Sequence, residues 1–535
     1  MAHRERGLST LNHEKPDRRP MQISFIPEFA DRLTVKLGIG IITIPLLAIF
    51  MTGASCTSEK TPIKVGFAQQ EIATIGINKP DYSFHDTLYA KVIWVEDKVQ
   101  PFGIVTLDMI EVTDAQTAAI KKSISDSLGI PGVRVTVCPS HNHSGTGYED
   151  RILAQRIGSI ARKARQSARP AQVAYSRVEV GPGFVVNRRV TINEKFGDLT
   201  MVYYRNYKRV DGGQKLDVRD QVIDFIVHGA QIYGTHYAEV GVLNRGDLAK
   251  ASPSSRALYE SLPPAMTLDG PVDPHLEALC FREQSGEIIG TLLRFACHST
   301  LFRSSWSKQY SADYPGVLTS EVSKATGGAP AHFAQGPCGN TQPFSEDYGE
   351  DFMVDFGTRL ARLITQKMER AEFAPLTKTY WNRETHAFAC APDMAGITEE
   401  IRESTAEDFN RMAAAPFDPY ELKKAHDWSV RTWASQFASD SDTLRLPFTV
   451  IGFNQVAMVT MPGEIFAQHG LAIKSRFPGK NIMVIELTDS GSPLYVPTRD
   501  AFPRGGYEVS SSALPAGAGE QMVEICGHLL KGFYE

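Results

Sequence analysis

Two histidines, His141 and His143, stand at the end of a predicted strand, within the run from Ser140 to Gly147. The preceding residues, 133–138, alternate as those of a buried strand do. Residues two apart in a strand face the same side, so both imidazoles can point into one cleft, one onto a metal ion and one onto a substrate. The glycines that follow let a ligand approach the backbone closely. Taken alone, the pattern also fits a turn with two ordinary histidines.

Four further predicted strands also end in polar residues. One ends at His298, one in a glycine-rich loop that reaches Gln342, one at Glu464, and one in a loop that carries Tyr495. Because ligands of sheet-based enzymes gather at strand ends, we expect these side chains to share a site. Two imidazoles and a carboxylate form the usual ligand set of a hydrolytic zinc site with one open position. Singly, each residue has an ordinary explanation, as a core histidine, a helix-capping glutamate or a packed tyrosine.

The elements that must position these residues alternate between strands and helices from Lys64 onward. One predicted helix covers Asp114 to Leu128, where Thr113 or Asp114 begins it and Gly129 ends it. The alternation predicts an α/β fold of stacked mixed β-sheets flanked by helices, with the metal site at strand ends, in a single large domain over 64–535. The segment 399–438 is rich in Glu, Lys, Arg and Ala and is predicted to be a helical insertion. No internal repeat is evident in the sequence.

Composition excludes some classes of function. The chain has 535 residues, 42% of them hydrophobic, and a formal net charge of −5, so a sizeable core is expected and nucleic acid is an unsuitable partner. Seven cysteines are widely scattered and form no Cys-x-x-Cys motif, which argues against a thiolate zinc site.

Residues 1–56 are predicted to be an export signal. A basic flank precedes an uncharged apolar run, 37–53, and two small residues and Cys56 follow it. The pattern resembles a bacterial lipobox, in which Cys56 becomes lipidated after cleavage, although Gly53 stands where leucine is usual. An uncleaved anchor helix is the alternative, because the run is close to the length that spans a bilayer. Both alternatives predict a periplasmic or cell-surface protein held at the membrane, with 57–63 as a linker.

Taken in order, these segments resemble the neutral ceramidase family. Five short motifs of that family have counterparts here: Thr-His-Thr-His-Ser-Gly-Pro-Gly-Gly in Ser140–Gly147, the asparagine-arginine pair in Asn187-Arg188, the strand ending in a second zinc histidine in Phe295–His298, Pro-Gly-Glu in Pro462–Glu464, and Tyr-Val-Thr-Thr followed by Tyr-Glu in Tyr495–Thr498 with Tyr507-Glu508. The resemblance extends over Lys64 to Glu535.

The neutral ceramidases are extracytoplasmic zinc amidases. The resemblance implies four zinc ligands: His141, His298, Glu464 and Tyr495. It also implies that His143, Arg188 and Tyr507 line the reaction centre and hold the scissile amide and its oxyanion. The expected function is zinc-dependent hydrolysis of an amide or ester bond, in which metal-activated water attacks the carbonyl of an N-acyl lipid or smaller N-acyl compound.

Two departures from the family pattern bear on this expectation. Gln342 occupies the reaction-centre position at which ceramidases have a serine, and it has no hydroxyl. The chain also ends soon after Tyr507, so the family's C-terminal β-sandwich domain is not expected. The first departure leaves an alternative open, in which the protein is a surface-anchored module that binds a ligand without turnover. The substrate and the oligomeric state stay open.

Other polar residues have less support. Asp313 either orients a ligand histidine or begins a helix, and Asp108 has the same two explanations. His469 follows the Pro-Gly-Glu segment on a predicted helix, but no family motif includes it. A serine hydrolase is the weakest hypothesis, because Ser144 and Ser299 follow histidines but no Gly-x-Ser-x-Gly elbow is present.

Overall fold

The computed structural model of this chain describes residues 62–201, 208–210, 215–228, 247–302, 307–344, 350–394, 396–414, 417–437 and 442–535. The predicted export signal and all but the end of the linker lie outside these residues. Lys60–Glu535 forms one unit. None of the helices in the described residues has the length and apolar character needed to cross a bilayer.

Three β-sheets in this unit share one strand order. In each, three successive strands pair antiparallel, and a crossover helix then leads to a fourth strand parallel to the third. The first unit has β1 (Lys64–Glu71), β2 (Tyr89–Glu96), β3 (Phe102–Leu107), α1 (Asp114–Leu128) and β4 (Arg134–Pro139), followed by α2 (Asp150–Gln166). The second has β5 (Gln172–Glu179), β6 (His275–Arg282), β7 (Ile288–Phe295), α3 (Asp313–Ala325) and β8 (Ala331–Gln335), followed by α4 (Glu350–Met368).

The third unit has β9 (Thr379–Ala389), β10 (Thr443–Phe453), β11 (Val456–Thr460), α7 (Ala467–Ser475) and β12 (Asn481–Ile485), followed by α8 (Ala518–Tyr534). Between β9 and β10 lie two helices, α5 (Glu399–Ala414) and α6 (Pro419–Ala434), in the segment expected to be a helical insertion. No internal repeat is evident in the sequence, but the structure corrects this expectation: the same topology occurs three times. Sequence inspection misses it because the repeat lies in strand order and not in residue identity.

Shorter elements connect these units. The short strands are Gly76–Ile77, Ser83–Phe84, Gly147–Tyr148, Arg169–Pro170, Val185–Asn187, Arg189–Asn193, Gly197–Thr200, Lys208–Val210, Lys215–Asp217, Thr267–Leu268, Gln309–Tyr310, Thr341–Pro343, Ala374–Pro375, Glu464–Ile465 and Tyr495–Val496. The short helices are Ala73–Ile75, Arg219–His228, Asp247–Lys250, Pro253–Ser261, Pro392–Met394, Ser435–Phe437, Arg499–Arg504 and Tyr507–Ser510.

The inner faces of the three sheets meet in one apolar core. Its members include Phe67 and Ile93 of the first sheet, Phe281 and Leu292 of the second, and Phe453 and Met458 of the third. The outer faces are covered by α1 and α2, by α3 and α4, and by α7 and α8 respectively. Strands that are buried on both faces consist of nearly continuous apolar residues, as in β3. The predicted fold class is confirmed.

Helix α1 begins and ends where the sequence indicates. The hydroxyl of Thr113 accepts a hydrogen bond from the backbone N–H of Gln116, whose side chain accepts one from the backbone of Thr113. Gly129, with φ of 64°, ends the helix in the left-handed conformation that glycine adopts without strain.

Each crossover helix also contacts a neighbouring unit through a polar side chain. The contacts are Lys121 of α1 to Asp489 after β12 at 3.1 Å, Thr319 of α3 to Lys91 of β2 at 3.3 Å, and Lys474 of α7 to Glu277 of β6 at 3.1 Å. These three contacts link the units into a closed ring, in which the strand ends of all three can contribute to one site.

Candidate metal centre

The loops that follow β4 and β7 carry the first two candidate ligands. His141 lies two residues after β4 with φ of 56°, a left-handed conformation that turns the chain sharply. Asn142 then pairs with Ser299 in an isolated parallel bridge, and the N–H of His143 donates to the carbonyl of Ser299 at 3.3 Å. The bridge places the loop of His141 beside His298.

Glu464 and Tyr495 are partners in a short parallel strand pair. Gly463 immediately before it has φ of 78°, and a Cβ there would lie 2.6 Å from Cδ of Pro493 and 2.8 Å from the carbonyl oxygen of Leu494. Only glycine fits this position, so the Pro-Gly-Glu order is required to bring the carboxylate next to the phenol.

The candidate donor atoms converge. Oε2 of Glu464 lies 3.2 Å from Nε2 of His141 and 3.2 Å from Nε2 of His298. The hydroxyl of Tyr495 hydrogen-bonds to Glu464, and Nε2 of His143 lies 3.2 Å from Nε2 of His141. His141, His143 and His298 form a group whose ligand atoms all lie within 4.8 Å of one another. His143 is the exposed member, so it marks the open side of the centre.

Nε2 of His298 and Oε2 of Glu464 are buried and face each other at 3.2 Å, and in the described residues neither atom meets the geometry of a hydrogen bond. Buried polar atoms are rarely left this way unless an ion or water meets them. In a tetrahedral zinc site with bonds of about 2.0–2.1 Å, neighbouring ligand atoms are about 3.3 Å apart. The separations of 3.2 Å from Glu464 to the two imidazoles match that edge length. The residues present therefore fit a divalent ion.

Backbone carbonyls fix the orientation of both buried imidazoles. Nδ1 of His141 lies 2.9 Å from the carbonyl oxygen of Ile110, and Nδ1 of His298 lies 2.8 Å from that of Thr341. Because a carbonyl only accepts, each Nδ1 is the protonated nitrogen. Each Nε2 then presents its lone pair to the centre, which is the arrangement of metal-binding histidines.

Burial and local charge set the protonation states. Burial, helped by the charge of Arg188, lowers the pKa of His298 to about 4, so this imidazole is neutral at pH 7. Burial opposes ionisation of Glu464, but the charges and hydrogen bonds of His141 and His298 together outweigh it and hold the pKa of this carboxyl well below its usual range. Burial also lowers the pKa of His141, but Glu464, with the charge of Glu486 and the carbonyl of Ile110, more than offsets this, so the pKa is raised.

Arg188 lies beside the centre and is held by three groups. Nε donates to Glu508 at 2.9 Å, and Nη2 donates to the carbonyl of Gly339 at 2.9 Å and to the hydroxyl of Tyr495 at 3.1 Å. The ring of Tyr507 is 5.3 Å from that of Tyr495, centre to centre. The structure thus brings together seven of the eight predicted site residues: His141, His143, Arg188, His298, Glu464, Tyr495 and Tyr507.

Gln342 is the eighth, and its side chain makes none of these contacts. It is buried in the short strand Thr341–Pro343, with its Nε2 unpaired among the described residues. It adjoins the centre through the backbone of Thr341, whose carbonyl holds His298.

The other polar candidates have different positions. Asp313 accepts hydrogen bonds from the N–H groups of Phe302 and Tyr314 at 2.8 and 2.6 Å at the start of α3, which fits its helix-start explanation. Asp108 accepts from the N–H of Tyr89 at 2.8 Å. His469 is buried, and its Nε2 would lie 2.2 Å from a Cβ at Gly519, so it packs against α8 and not in the centre.

Sequence reasoning missed two carboxylates close to the centre, Glu111 and Glu486. Glu111 follows Ile110, whose carbonyl holds His141, and a Cβ at Gly491 would lie 2.1 Å from its Oε2. Burial and the charge of Glu464 raise the pKa of Glu111. The sequence signal that could have identified Glu111 is its position in the loop after β3, three residues after Asp108. Glu508 was also missed as a partner of Arg188, although it follows Tyr507 directly.

Comparison with known proteins identifies the fold of this chain. No protein-family model matches the chain, and no curated protein matches its sequence at a significant level. Two solved structures are similar over 88% of this chain: a ceramidase complexed with C2, with 14% identity and a TM-score of 0.55, and neutral ceramidase from Pseudomonas aeruginosa, with 15% identity and a TM-score of 0.54. The matches cover 74% and 75% of those chains. The chain therefore has the fold of neutral ceramidases, as the sequence resemblance predicts.

Proposed function

We propose that this protein is a zinc-dependent hydrolase that cleaves the amide bond of N-acyl compounds. The observation that carries the proposal is the convergence of the donor atoms of His141, His298, Glu464 and Tyr495. Two of these atoms are buried without a well-formed hydrogen bond in the part of the chain that the structure describes. These four side chains would hold the ion. The likeness in fold to neutral ceramidases supports the same class of reaction.

A bound zinc ion supplies two effects in such a site: it lowers the pKa of a water molecule, and it polarises a carbonyl group. The protein supplies the rest. His143 is exposed beside the centre, so its imidazole can accept a proton from the attacking water and return it to the leaving amine.

Arg188 and Tyr507 would stabilise the negative charge that develops on the acyl oxygen. Glu508 and the carbonyl of Gly339 hold the guanidinium before the substrate arrives, so little reorganisation is needed during the reaction. Tyr507 packs against Tyr495 and against Val430 of α6, which keeps its ring beside the centre.

A panel of substrates tests the proposal. Purified protein would be incubated with N-acyl lipids, N-acyl amino acids and simple esters, with and without a metal chelator, and free acid would be measured. We expect release of acid from at least one amide, loss of that activity with chelator, and recovery on addition of zinc. No turnover of any member, together with saturable binding of one, would favour the alternative of a binding module, which the replacement of serine by Gln342 motivates.

Gln342 bears on the choice of substrate. If its amide occupies space that ceramide needs, Gln342→Ser should raise activity on ceramide relative to shorter and more polar N-acyl compounds. We expect the unaltered protein to prefer these smaller compounds, and competition between the two classes in one assay measures the preference.

We also propose that the protein is exported and held at the membrane through Cys56. Labelling of cells with a radioactive fatty acid should mark the protein, and Cys56→Ala should remove the label. Retention of the label in the variant would exclude lipidation at this residue.

A further inference from the structure

A cavity of about 440 Å3 lies between β2 and the crossover helix α3 of the next unit, away from the metal centre. No residue assigned to the metal centre lines it. At the other two interfaces between units, a lysine of the crossover helix pairs with a carboxylate: Lys474 with Glu277, and Lys121 with Asp489. At the interface of α3 with β2 the lysine lies on the strand instead, and it adjoins this cavity.

That lysine is Lys91, whose side chain is buried at 5% exposure. Its Nζ donates to the hydroxyl of Thr319 at 3.3 Å and to the carbonyl of Ala331 at 3.0 Å. These are two hydrogen bonds for three N–H groups, and no carboxylate of the described residues lies within the 4.0 Å of an ion pair. The ring of Tyr89, 5.6 Å from Nζ, does not neutralise the charge, and a buried ammonium without an anionic partner is costly. An anionic partner from outside the chain would therefore stabilise it.

Asp108 lines the same cavity and is also buried. Its Oδ2 accepts from the N–H of Tyr89 at 2.8 Å, and Oδ1 has no donor in the described residues. Burial raises the pKa of Asp108 and lowers that of Lys91, and each group's charge partly offsets the shift of the other. The two groups therefore attract each other but are too far apart to pair directly.

The remaining charges of the lining are already engaged. Asp86 accepts hydrogen bonds from Ser311 and Ala312, and His85 lies between Asp86 and Glu350. Lys324 pairs with Glu321 at the exposed side. The interior thus presents one cation and one anion, beside the apolar surface of Val317.

We propose that this cavity binds a small molecule with a carboxylate next to an ammonium or hydroxyl group, which is the chemistry of a free α-amino acid or α-hydroxy acid. The carboxylate accepts from Lys91, and the neighbouring donor group meets the free oxygen of Asp108. Thr319, whose hydroxyl donates to the carbonyl of Gly316, accepts from Lys91 and positions its ammonium. A small apolar side chain lies against Val317. The volume falls within the range of about 300–1,000 Å3 that is usual for small-molecule sites.

Isothermal titration of the full chain tests this, with alanine, lactate, propionate and methylamine as probes. We expect saturable binding of alanine and lactate and much weaker binding of propionate and methylamine, each of which lacks one of the two groups. Lys91→Met should weaken binding about tenfold or more, since a charged hydrogen bond is lost. Lys122→Met, at an exposed lysine of α1, is the matched control and should bind as the unaltered protein does.

Thr319→Val and Asp108→Asn keep the proposal testable if the Lys91 variant does not fold. Thr319→Val should weaken both ligands several-fold, and Asp108→Asn should weaken alanine more than lactate. The proposal is overturned if the unaltered protein binds neither acid, or if Lys91→Met binds both with unchanged affinity. Equal affinity for propionate and alanine would show that Asp108 does not contact the ligand and would overturn the proposed two-group recognition. None of these results depends on the hydrolase activity.

Discussion

At the scale of single residues, the centre depends on groups that are buried and yet held in one orientation. Carbonyl acceptors at Ile110 and Thr341 fix the imidazoles, and Glu508 with Gly339 fixes Arg188. Burial of these groups strengthens each interaction, because the local dielectric is low. Loss of any one partner therefore leaves a buried polar group unsatisfied, so single substitutions should have measurable effects on activity or stability.

Arg188→Met should separate oxyanion stabilisation from metal binding. Loss of one preorganised donor to a developing oxyanion typically costs about 10²–10³ in kcat. We expect a loss of that size in kcat on the best amide of the substrate panel, with the zinc content unchanged. Arg177→Met, at an exposed arginine of β5, should leave both values as they are. If the Arg188 variant keeps full kcat, the Arg188 side chain does not stabilise the oxyanion.

Gly491→Ala should destabilise the protein through a clash with Glu111. The new Cβ would lie 2.1 Å from Oε2 of Glu111, so the carboxylate must move. We expect a decrease of about 1–3 kcal/mol in the free energy of unfolding, measured by urea denaturation. In the background of Glu111→Ala the same change should cost clearly less. Equal costs in both backgrounds would show that Glu111 does not pack on Gly491.

At the scale of elements, strands that are buried on both faces place polar residues where few partners exist. His332 of β8 is the extreme case, since it is fully buried and both ring nitrogens lack a partner in the described residues. Its ring lies 5.0 Å from that of Phe67, centre to centre. Burial, with the nearby charge of Lys91, holds its pKa well below the ordinary value of 6.5.

His332→Leu should change how stability depends on pH. Because the pKa of His332 is lower in the folded chain than in the unfolded chain, protons bind more tightly to the unfolded chain. The contribution of His332 to stability is therefore complete above pH 6.5 and falls as the pH decreases below that value. The slope from this residue is at most about 1.4 kcal/mol per pH unit. We expect the leucine variant to lose that part of the slope between pH 6.5 and 5, measured by urea denaturation. The control variant His386→Ala, at a partly exposed histidine of β9, should keep the full slope. An unchanged slope in His332→Leu would contradict the prediction.

Local elements were the part of the fold that the sequence could predict. Helix α1 has its capping residues at both ends, and the strands that precede His298 and Glu464, β7 and β11, have nearly continuous apolar patterns. The clustering of seven site residues followed from a rule about strand ends and from motif order. The sequence analysis had no means to find the carbonyls that orient the imidazoles, or Glu111, because these contacts join loops from different units and leave no mark in local spacing.

At the scale of the whole molecule, three units of one topology form a ring around a shared apolar core, and each contributes a candidate ligand: His141, His298 and Glu464. The centre therefore forms only when all three units are correctly packed. Polar contacts between units help to fix this packing. Arg294 of β7 is the most buried example, with no exposed surface.

Arg294→Met should destabilise the interface of the second and third units. Arg294 pairs with Asp273 at 2.6 Å and Glu277 at 3.0 Å, and its Nε donates to the carbonyl of Val484 in β12 at 2.9 Å. Removal of one partner from a buried ion pair costs about 3–5 kcal/mol. We expect a loss of that size in the free energy of unfolding, against less than about 0.5 kcal/mol for Arg177→Met. Similar losses in both variants would show that the network does not hold the units together.

The zinc content of the purified full-length protein tests the central claim most directly. Elemental analysis should find about one zinc per chain in the unaltered protein and in His386→Ala, and close to none in His298→Ala and Glu464→Ala, with all four proteins folded by circular dichroism. A folded, unaltered protein that contains no zinc, and takes none up when zinc is supplied, would contradict the account.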